Sequence, residues 1–255
     1  MSSKWVYQFN EGDKSMKNLL GGKGANLAEM TSIGLPVPPG FTITTEVCDL
    51  YYKSGRKLPA GLMEEVARNV AMLEKELGKK FGDIADPLLV SVRSGAAVSM
   101  PGMMNTILNL GLNDEAVVGL ANATGQKRFA YDAYRRLINM FGDVVLNVDH
   151  EHYEVAFDKI KRQYNVKLDT DVPTEGLIEL CAAYKEVLEH HAGQPFPQDP
   201  LAQLWGAIGA VFGSWHNERA KTYRRLHGIH DGWGTAVNVQ AMVFGNLGPS
   251  SATGL

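Results

Sequence analysis

The sequence predicts an α+β fold, in which a mixed core of strands and helices is interrupted by a helical subdomain. Apolar runs typical of strands occur at residues 5–9, 87–112 and 235–244. Between these runs, apolar residues recur every three or four positions, as in helices that bury one face. From about residue 113 to residue 193 only the helical spacing occurs, which indicates an insertion.

The first elements alternate between strand and helix. Trp5, Tyr7 and Phe9 occupy every second position, as in a strand with one aromatic face. A glycine-rich turn over residues 19–24 then opens a short helix, which we expect to end near Gly34.

The next elements follow a rigid proline-rich connection over residues 36–40. A strand over residues 41–44 and a helix around residues 47–51 come next. A longer helix then has apolar residues three or four positions apart, so one of its faces is expected to lie in the core. These residues are Leu62, Val66, Val70, Leu73 and Leu77.

Four helices are predicted in the inserted subdomain. Asn113 or Asp114 can cap the first helix and Thr174 the fourth, because their side-chain oxygens accept hydrogen bonds from free backbone N–H groups. The apolar positions, helix by helix, are Val117, Val118 and Leu120; Phe129, Tyr134, Leu137, Ile138 and Phe141; Tyr153, Phe157, Ile160 and Tyr164; and Leu177, Leu180, Ala183, Tyr184 and Leu188.

The C-terminal part returns to the mixed core through a proline-rich segment. An amphipathic helix is predicted over residues 204–215, with a basic continuation over residues 219–226. The strand over residues 235–244 follows, and the small residues 250–255 resemble the start of another strand. No closing element follows, so we expect the sequence to end inside a domain.

Composition narrows the classes of function. The 255 residues are 45% hydrophobic and 21% charged, as in soluble globular proteins, and the net charge of −3 gives no sequence-wide attraction to nucleic acid or anionic membranes. Cys48 and Cys181 are far apart, which favours reduced core thiols. No signal or transit peptide and no run of ~18 apolar residues occurs. We therefore expect a cytoplasmic protein that binds neither nucleic acid nor membranes.

Residues 86–112 are the most informative segment for function. An apolar strand ends on Arg93, a loop is centred on Pro101 and Gly102, and a second apolar strand follows. An arginine at the end of a buried strand needs an anion, because desolvating its charge is costly, and its forked guanidinium suits bidentate phosphate binding. An arginine paired with an internal carboxylate is the alternative, and the pattern alone leaves both open.

The loop itself contains three methionines within five residues, 100–104. They could fill gaps in a hydrophobic turn. A loop that closes over a nucleotide, with apolar side chains excluding water, explains them better.

Two weaker signals lie elsewhere in the chain. Lys23 sits between two glycines at a helix start, where an ammonium and the helix dipole both favour phosphate; a solvated turn lysine is the alternative. Gln240 and Met242 lie on the late strand and could hold an adenine, although an ordinary half-buried strand fits equally well. The seven histidines lack the spacing of metal sites, and no serine-nucleophile motif occurs.

Taken in order, these motifs resemble the N-terminal nucleotide-binding domain of the pyruvate phosphate dikinase family. The resemblance runs over nearly the whole chain. It includes residues 4–7, 18–30, 39–45, 87–95, 99–112, 128–132, 134–136 and 233–240. The related phosphoenolpyruvate synthases have a similar strand ending in arginine, but their loop lacks the Met-Pro-Gly-Met-Met sequence, so the phosphate-using dikinase is favoured.

The resemblance implies an ATP-grasp-like fold with an inserted helical subdomain, incomplete at the C-terminus. The implied division is residues 1–112 with 194–234 as a mixed α/β first subdomain and 113–193 as the helical insertion. Residues 235–255 would begin the second ATP-grasp subdomain.

The resemblance also implies the reaction of ATP, pyruvate and phosphate to AMP, phosphoenolpyruvate and diphosphate, with Mg²⁺. Lys23 and Arg93 would act on the phosphates as catalytic residues, while Gly102, Met103, Met104 and Thr106 would cover the nucleotide. Gln240 and Met242 would line the adenine side. Such a transfer depends on positioning and charge neutralisation.

The family's Mg²⁺ ligands, phosphohistidine domain and pyruvate-binding barrel are expected beyond residue 255, and the full-length protein is expected to form a homodimer. No metal ligand is therefore predicted within this sequence, and the isolated chain is not expected to complete the reaction. A non-catalytic nucleotide-binding or regulatory module, or a phosphoenolpyruvate synthase-type dikinase, is the alternative. An organellar location is also open for some lineages.

Overall fold

The computed structural model describes residues 4–247 and 251. Its strands are β1 (Val6–Gln8), β2 (Gly40–Ile43), β3 (Lys80–Phe81), β4 (Pro87–Leu88), β5 (Val90–Ala96), β6 (Thr106–Leu110) and β7 (Thr235–Ala241). Its α-helices are α1 (Lys17–Ser32), α2 (Thr45–Lys53), α3 (Leu62–Leu77), α4 (Ala116–Thr124), α5 (Lys127–Val144), α6 (His150–Gln163), α7 (Thr174–Ala192), α8 (Pro200–Gly213) and α9 (Glu218–Leu226). The predicted α+β class is confirmed.

The chain forms two compact units. The first comprises Met1–Gly78, Val90–Thr106 and Trp205–Ala241; the second comprises Lys79–Leu89, Ile107–Leu204 and Met242–Leu255.

An antiparallel sheet forms the centre of the first unit. Its strands lie in the order β1-β2-β7-β5, and each neighbouring pair is antiparallel. Strand β7 has β-branched residues at alternate positions, Thr235, Val237 and Val239, a pattern that suits a pleated surface. Val237 and Val239 on one face and Ala236 and Asn238 on the other are all buried, so β7 is covered on both sides.

The position of β7 differs from the predicted subdomain division. Residues 235–241 were expected to open a second subdomain, but they lie inside the sheet of the first unit because β7 pairs with both β2 and β5. The strand also ends at Ala241, earlier than predicted. The expected strand start at 250–255 falls almost wholly outside the described residues.

Helix α1 packs on the sheet through residues that have little or no side chain. Gly21 interrupts the helical backbone with φ 69° and ψ 169°. A Cβ at Gly21 would overlap the carbonyl oxygen of Gly95, and one at Gly24 would lie 2.8 Å from Oγ1 of Thr42. Glycine is therefore required for this close approach of helix and strand.

Replacing Gly21 with alanine is expected to lower the free energy of unfolding by about 3 kcal/mol or more, because the new methyl group overlaps backbone in a left-handed conformation. Gly34→Ala is the matched control: Gly34 has φ 80° but open space around it, so about 1–2 kcal/mol is expected. Urea denaturation measures the free energy of unfolding of both variants. Equal losses would show that backbone conformation alone explains the effect.

The second unit contains the predicted helical insertion. All four predicted helices are present as α4 to α7. Asn113 caps the first, since its Oδ1 accepts from the amides of Glu115 and Ala116 at 3.1 and 2.7 Å. Thr174 makes no cap and is instead the first residue of α7.

Most predicted core positions of the insertion are buried. The exceptions are Val118, which is 46% exposed, and Tyr164 and Ala183, which are half-buried. These positions lie at the edges of apolar faces, where helical spacing cannot separate core from boundary.

Both cysteines are buried and free, as predicted. Burial raises the pKa of the Cys48 thiol to about 11 and that of Cys181 to about 12. Both are therefore protonated at neutral pH and poorly reactive. Among the described helices, none combines the length and apolar character needed to cross a membrane.

Candidate functional site

Helix α1 and the segment after β5 enclose a cleft of about 580 Å³ within the first unit. Four of the eight predicted site residues line it. They are Lys23, Gly102, Met104 and Thr106. Arg93 and Met103 are not among the lining residues, although both belong to the same unit.

The two glycines beside Lys23 are packing residues rather than parts of a flexible loop. Lys23 lies in helical backbone just after the interruption at Gly21. A Cβ at Gly22 would lie 3.2 Å from the carbonyl oxygen of Ala96, so this turn of α1 approaches the sheet edge closely. The Gly-Lys-Gly motif therefore places the lysine on a helix that is held against β5.

The segment from Ser99 to Asn105, here called the methionine loop, forms the other wall. Gly102 has φ 73°, a left-handed conformation that favours glycine, and faces open space. Met100 is 6% exposed, whereas Met103 and Met104 are half-buried. Only one of the three methionines is thus a core residue, in line with the interpretation that the loop covers a ligand.

Arg93 ends a row of polar residues that crosses the sheet. By strand register, Arg93 faces Asn238, which in turn faces Thr42. Oγ1 of Thr42 donates a hydrogen bond of 2.8 Å to Oδ1 of Asn238, and each of these two residues is 1% exposed.

Two buried donors in this row have no partner within the described part of the chain. They are Nε of Arg93 and Nδ2 of Asn238. Arg93 also has no carboxylate partner there, so the alternative of an internal ion pair is not supported. Buried donors normally have partners, so each of these two unpaired donors requires an explanation, and a bound anion or water is one of them.

Lys23 and Arg93 lie close enough for their charges to repel. Partial burial of the ammonium in the cleft is the main cause of a lowered pKa for Lys23, and the charge of Arg93 lowers it further. Part of the Lys23 side chain remains exposed, so the ammonium is within reach of an incoming ligand. Two cations that repel each other in a partly desolvated site are stabilised by a shared anion.

The two residues predicted for the adenine side lie in different units. Gln240 faces Ser91 across β5 and β7, two positions from Asn238, and its Nε2 donates to the carbonyl oxygen of Pro38 at 3.0 Å. The backbone N–H of Met242 donates to the carbonyl oxygen of Leu89 at 2.9 Å within the second unit. Their role in adenine binding stays a prediction.

The part of the chain that the structure describes offers no cluster of three or more acidic, histidine or cysteine side chains suited to a metal ion. Among the residues that the structure describes, no carboxylate lines the cleft. These residues therefore do not fit a protein-held Mg²⁺.

Two polar residues of the site were not predicted from the sequence. Thr42 and Asn238 lie in apolar strands, and each resembles an ordinary strand residue when the chain is read alone. The signal that identifies them is their register with Arg93, which requires the pairing of strands about 150 to 200 residues apart in sequence.

A family model described as "Pyruvate phosphate dikinase, AMP/ATP-binding domain" matches residues 17–60 and 56–255. The chain belongs to the pyruvate phosphate dikinase AMP/ATP-binding domain family. The resemblance inferred from the motifs is therefore confirmed. The pyruvate phosphate dikinase motifs at residues 18–30 and 99–112 also contain most of the cleft residues.

Curated relatives agree with this family. The chain is 56% identical to "Pyruvate, phosphate dikinase" of Rhizobium meliloti (strain 1021) and 56% identical to the protein of that name from Clostridium symbiosum, in each case over 99% of the chain and 29% of the relative. It is 53% identical to the chloroplastic pyruvate, phosphate dikinase 1 of Arabidopsis thaliana over 100% of the chain and 27% of that relative. The chain thus spans under a third of the curated relatives it matches.

Proposed function

We propose that this chain is the ATP-binding, phosphoryl-transferring part of a pyruvate phosphate dikinase, with an ATP-grasp-like architecture. The observation that supports this proposal most is the pair of cationic side chains, Lys23 and Arg93. They repel each other beside a cleft of nucleotide size, and no carboxylate partner of Arg93 occurs among the described residues. The polyphosphate of ATP is the anion that such a pair suits.

In the proposed complex each element has a separate task. The Arg93 fork and the Lys23 ammonium neutralise charge that develops on the phosphates during transfer. The methionine loop excludes water, which would otherwise compete as the phosphoryl acceptor. Gln240 and Met242 face the adenine. No nucleophile from this chain is required, because the acceptor is a histidine of another domain.

The whole protein's reaction is part of the same proposal. ATP, pyruvate and phosphate would give AMP, phosphoenolpyruvate and diphosphate, with Mg²⁺ entering with the nucleotide. A phosphohistidine domain and a pyruvate-binding barrel would complete the polypeptide, which we propose is a cytoplasmic homodimer.

Titration of ATP into the 255-residue chain by calorimetry, with and without Mg²⁺, tests the proposal. We expect saturable binding that is lost with adenosine, which has no phosphates, and weakened in Arg93→Ala. The exposed Arg68 provides a matched control, and Arg68→Ala is expected to bind like the unmodified chain. Equal affinity for ATP and adenosine would contradict a site built on phosphate recognition.

ATP binding is expected to become coupled to proton uptake at alkaline pH. The folded-state pKa of Lys23 is below its ordinary value of 10.5, so its charge opposes folding at neutral pH, and this cost declines as the pH rises from the lowered pKa to 10.5. Bound phosphate favours the ammonium and raises the pKa again. Affinity should therefore fall as the pH rises toward 10.5.

Calorimetry at about pH 9 in two buffers of different ionisation enthalpy measures this proton uptake. The apparent binding enthalpy should depend on the buffer for the unmodified chain but not for Lys23→Met. Buffer dependence that persists in Lys23→Met would assign the titration to another group.

A further inference from the structure

Among the described residues, two side chains of the first unit form hydrogen bonds with the backbone of the methionine loop, those of Asn217 and Ser214. Nδ2 of Asn217 donates a hydrogen bond of 3.0 Å to the carbonyl oxygen of Met103. This bond joins positions 114 residues apart in sequence. Met103, although predicted to cover the nucleotide, is not among the cleft-lining residues, and its carbonyl oxygen is bound to the residue that precedes α9.

The same side chain also begins a helix. Asn217 is the N-cap of α9, and its Oδ1 accepts from the backbone N–H of Ala220 at 2.7 Å. One amide therefore has its acceptor committed to the helix and its donor committed to the loop. Its orientation is fixed from both ends, because exchanging the oxygen and nitrogen would break both bonds.

The remaining attachments of the loop are weaker. The backbone N–H of Asn105 donates to Oγ of Ser214 at 3.4 Å, near the limit of a hydrogen bond. Within the loop, the backbone N–H of Met103 donates to the carbonyl oxygen of Met100 at 3.2 Å. Pro101 and Gly102 at its tip are exposed. Asn217 therefore provides the strongest bond that ties the loop to another element.

Helix α9, which Asn217 caps, is held in place by several contacts of Arg224. Arg224 of α9 is 1% exposed, stacks on the Trp215 ring at 4.1 Å and pairs with Asp231 at 2.7 Å. Its guanidinium also donates to the backbone carbonyl of Trp215. These contacts join the last turn of α9 to Trp215 and Asp231, so the helix that Asn217 caps is held against the turn that precedes it.

We propose that Asn217 is a positioning residue, which holds the methionine loop in the conformation that covers the cleft. This inference rests on the proposed function, because the loop's task is to cover ATP. Asn217 touches the loop backbone and acts on the nucleotide through it.

Two substitutions remove the donor while keeping the helix cap. Asn217→Asp retains an oxygen for the backbone N–H of Ala220 and presents a carboxylate, which cannot donate, to the carbonyl of Met103. Asn217→Ser keeps a neutral cap but is too short to reach the loop. Asn217→Ala removes both the helix cap and the hydrogen bond to the loop. The comparison thus separates loop attachment from helix stability.

Hydrogen exchange of the full chain without nucleotide is the first measurement. We expect exchange of residues 99–105 to rise about fivefold to tenfold in the Asp and Ser variants, as for one lost hydrogen bond, with exchange of α9 unchanged. The Asn217→Ala variant should raise the exchange of both residues 99–105 and α9. Exchange of the loop at the unmodified rate in both the Asp and Ser variants would overturn the proposal.

ATP titration is the second measurement. Affinity should fall about fivefold to tenfold in the Asp and Ser variants, in parallel with loop exchange. Unchanged affinity despite a loosened loop would overturn the role in nucleotide positioning. If the unmodified chain bound no ATP, the proposed function would fail, whereas the exchange data would still decide whether Asn217 holds the loop.

Discussion

Replacing Arg93 with alanine is expected to slow phosphoryl transfer from ATP by about two to three orders of magnitude in the complete dikinase polypeptide. The proposed role of the guanidinium is to stabilise charge that develops during transfer, and losing one such contact in a site shielded from water raises the barrier by about 3 kcal/mol or more. Histidine phosphorylation from radiolabelled ATP, followed by rapid quenching, measures the rate. Arg68→Ala is the matched control, because Arg68 is exposed on α3 of the same unit.

The fold should tolerate this substitution. Arg93 makes no ion pair within the described residues, and its charge repels Lys23, so removing it breaks no ion pair, removes one unpaired buried donor and relieves the repulsion. Urea denaturation of Arg93→Ala without nucleotide should therefore show a free energy of unfolding equal to or above that of the unmodified chain. An unchanged rate of histidine phosphorylation would remove Arg93 from the site.

Lys23→Ala is expected to produce the second largest effect, a loss of about two orders of magnitude in the same transfer step. The ammonium is a single charge with no fork, so Lys23→Arg should recover part of the rate if charge alone matters. Lys75→Ala, at an exposed position of α3, is the control for loss of one lysine. A normal rate in Lys23→Ala would identify Lys23 as a solvated lysine with no role in transfer.

Local patterns predicted the helices well because helical periodicity is written in neighbouring residues. Helix α3 begins and ends at the first and last residues of its predicted apolar series, Leu62 and Leu77. Errors occurred where several residues compete for one local role, as with Thr174, or where a helix face meets solvent, as with Val118.

Long-range pairing was less accessible from the sequence. The place of β7 between β2 and β5 depends on segments about 150 to 200 residues apart, and no local pattern encodes that choice. For the same reason Asn238 and Asn217 were missed, although each occupies a decisive position in the structure. The grouping of Lys23, Gly102, Met104 and Thr106 at one cleft was anticipated, but their chemical roles stay predictions.

The contact of Gly21 with Gly95 has a consequence for the energetics of ligand capture. Because main chain meets main chain there, the Cα atom of Lys23 is located by the fold itself and not by any interaction of its own side chain. The entropic cost of bringing the ammonium beside Arg93 is thus met when the protein folds. If the proposed function holds, a polyphosphate would meet a lysine whose backbone is already placed and would retain more of its interaction energy as affinity.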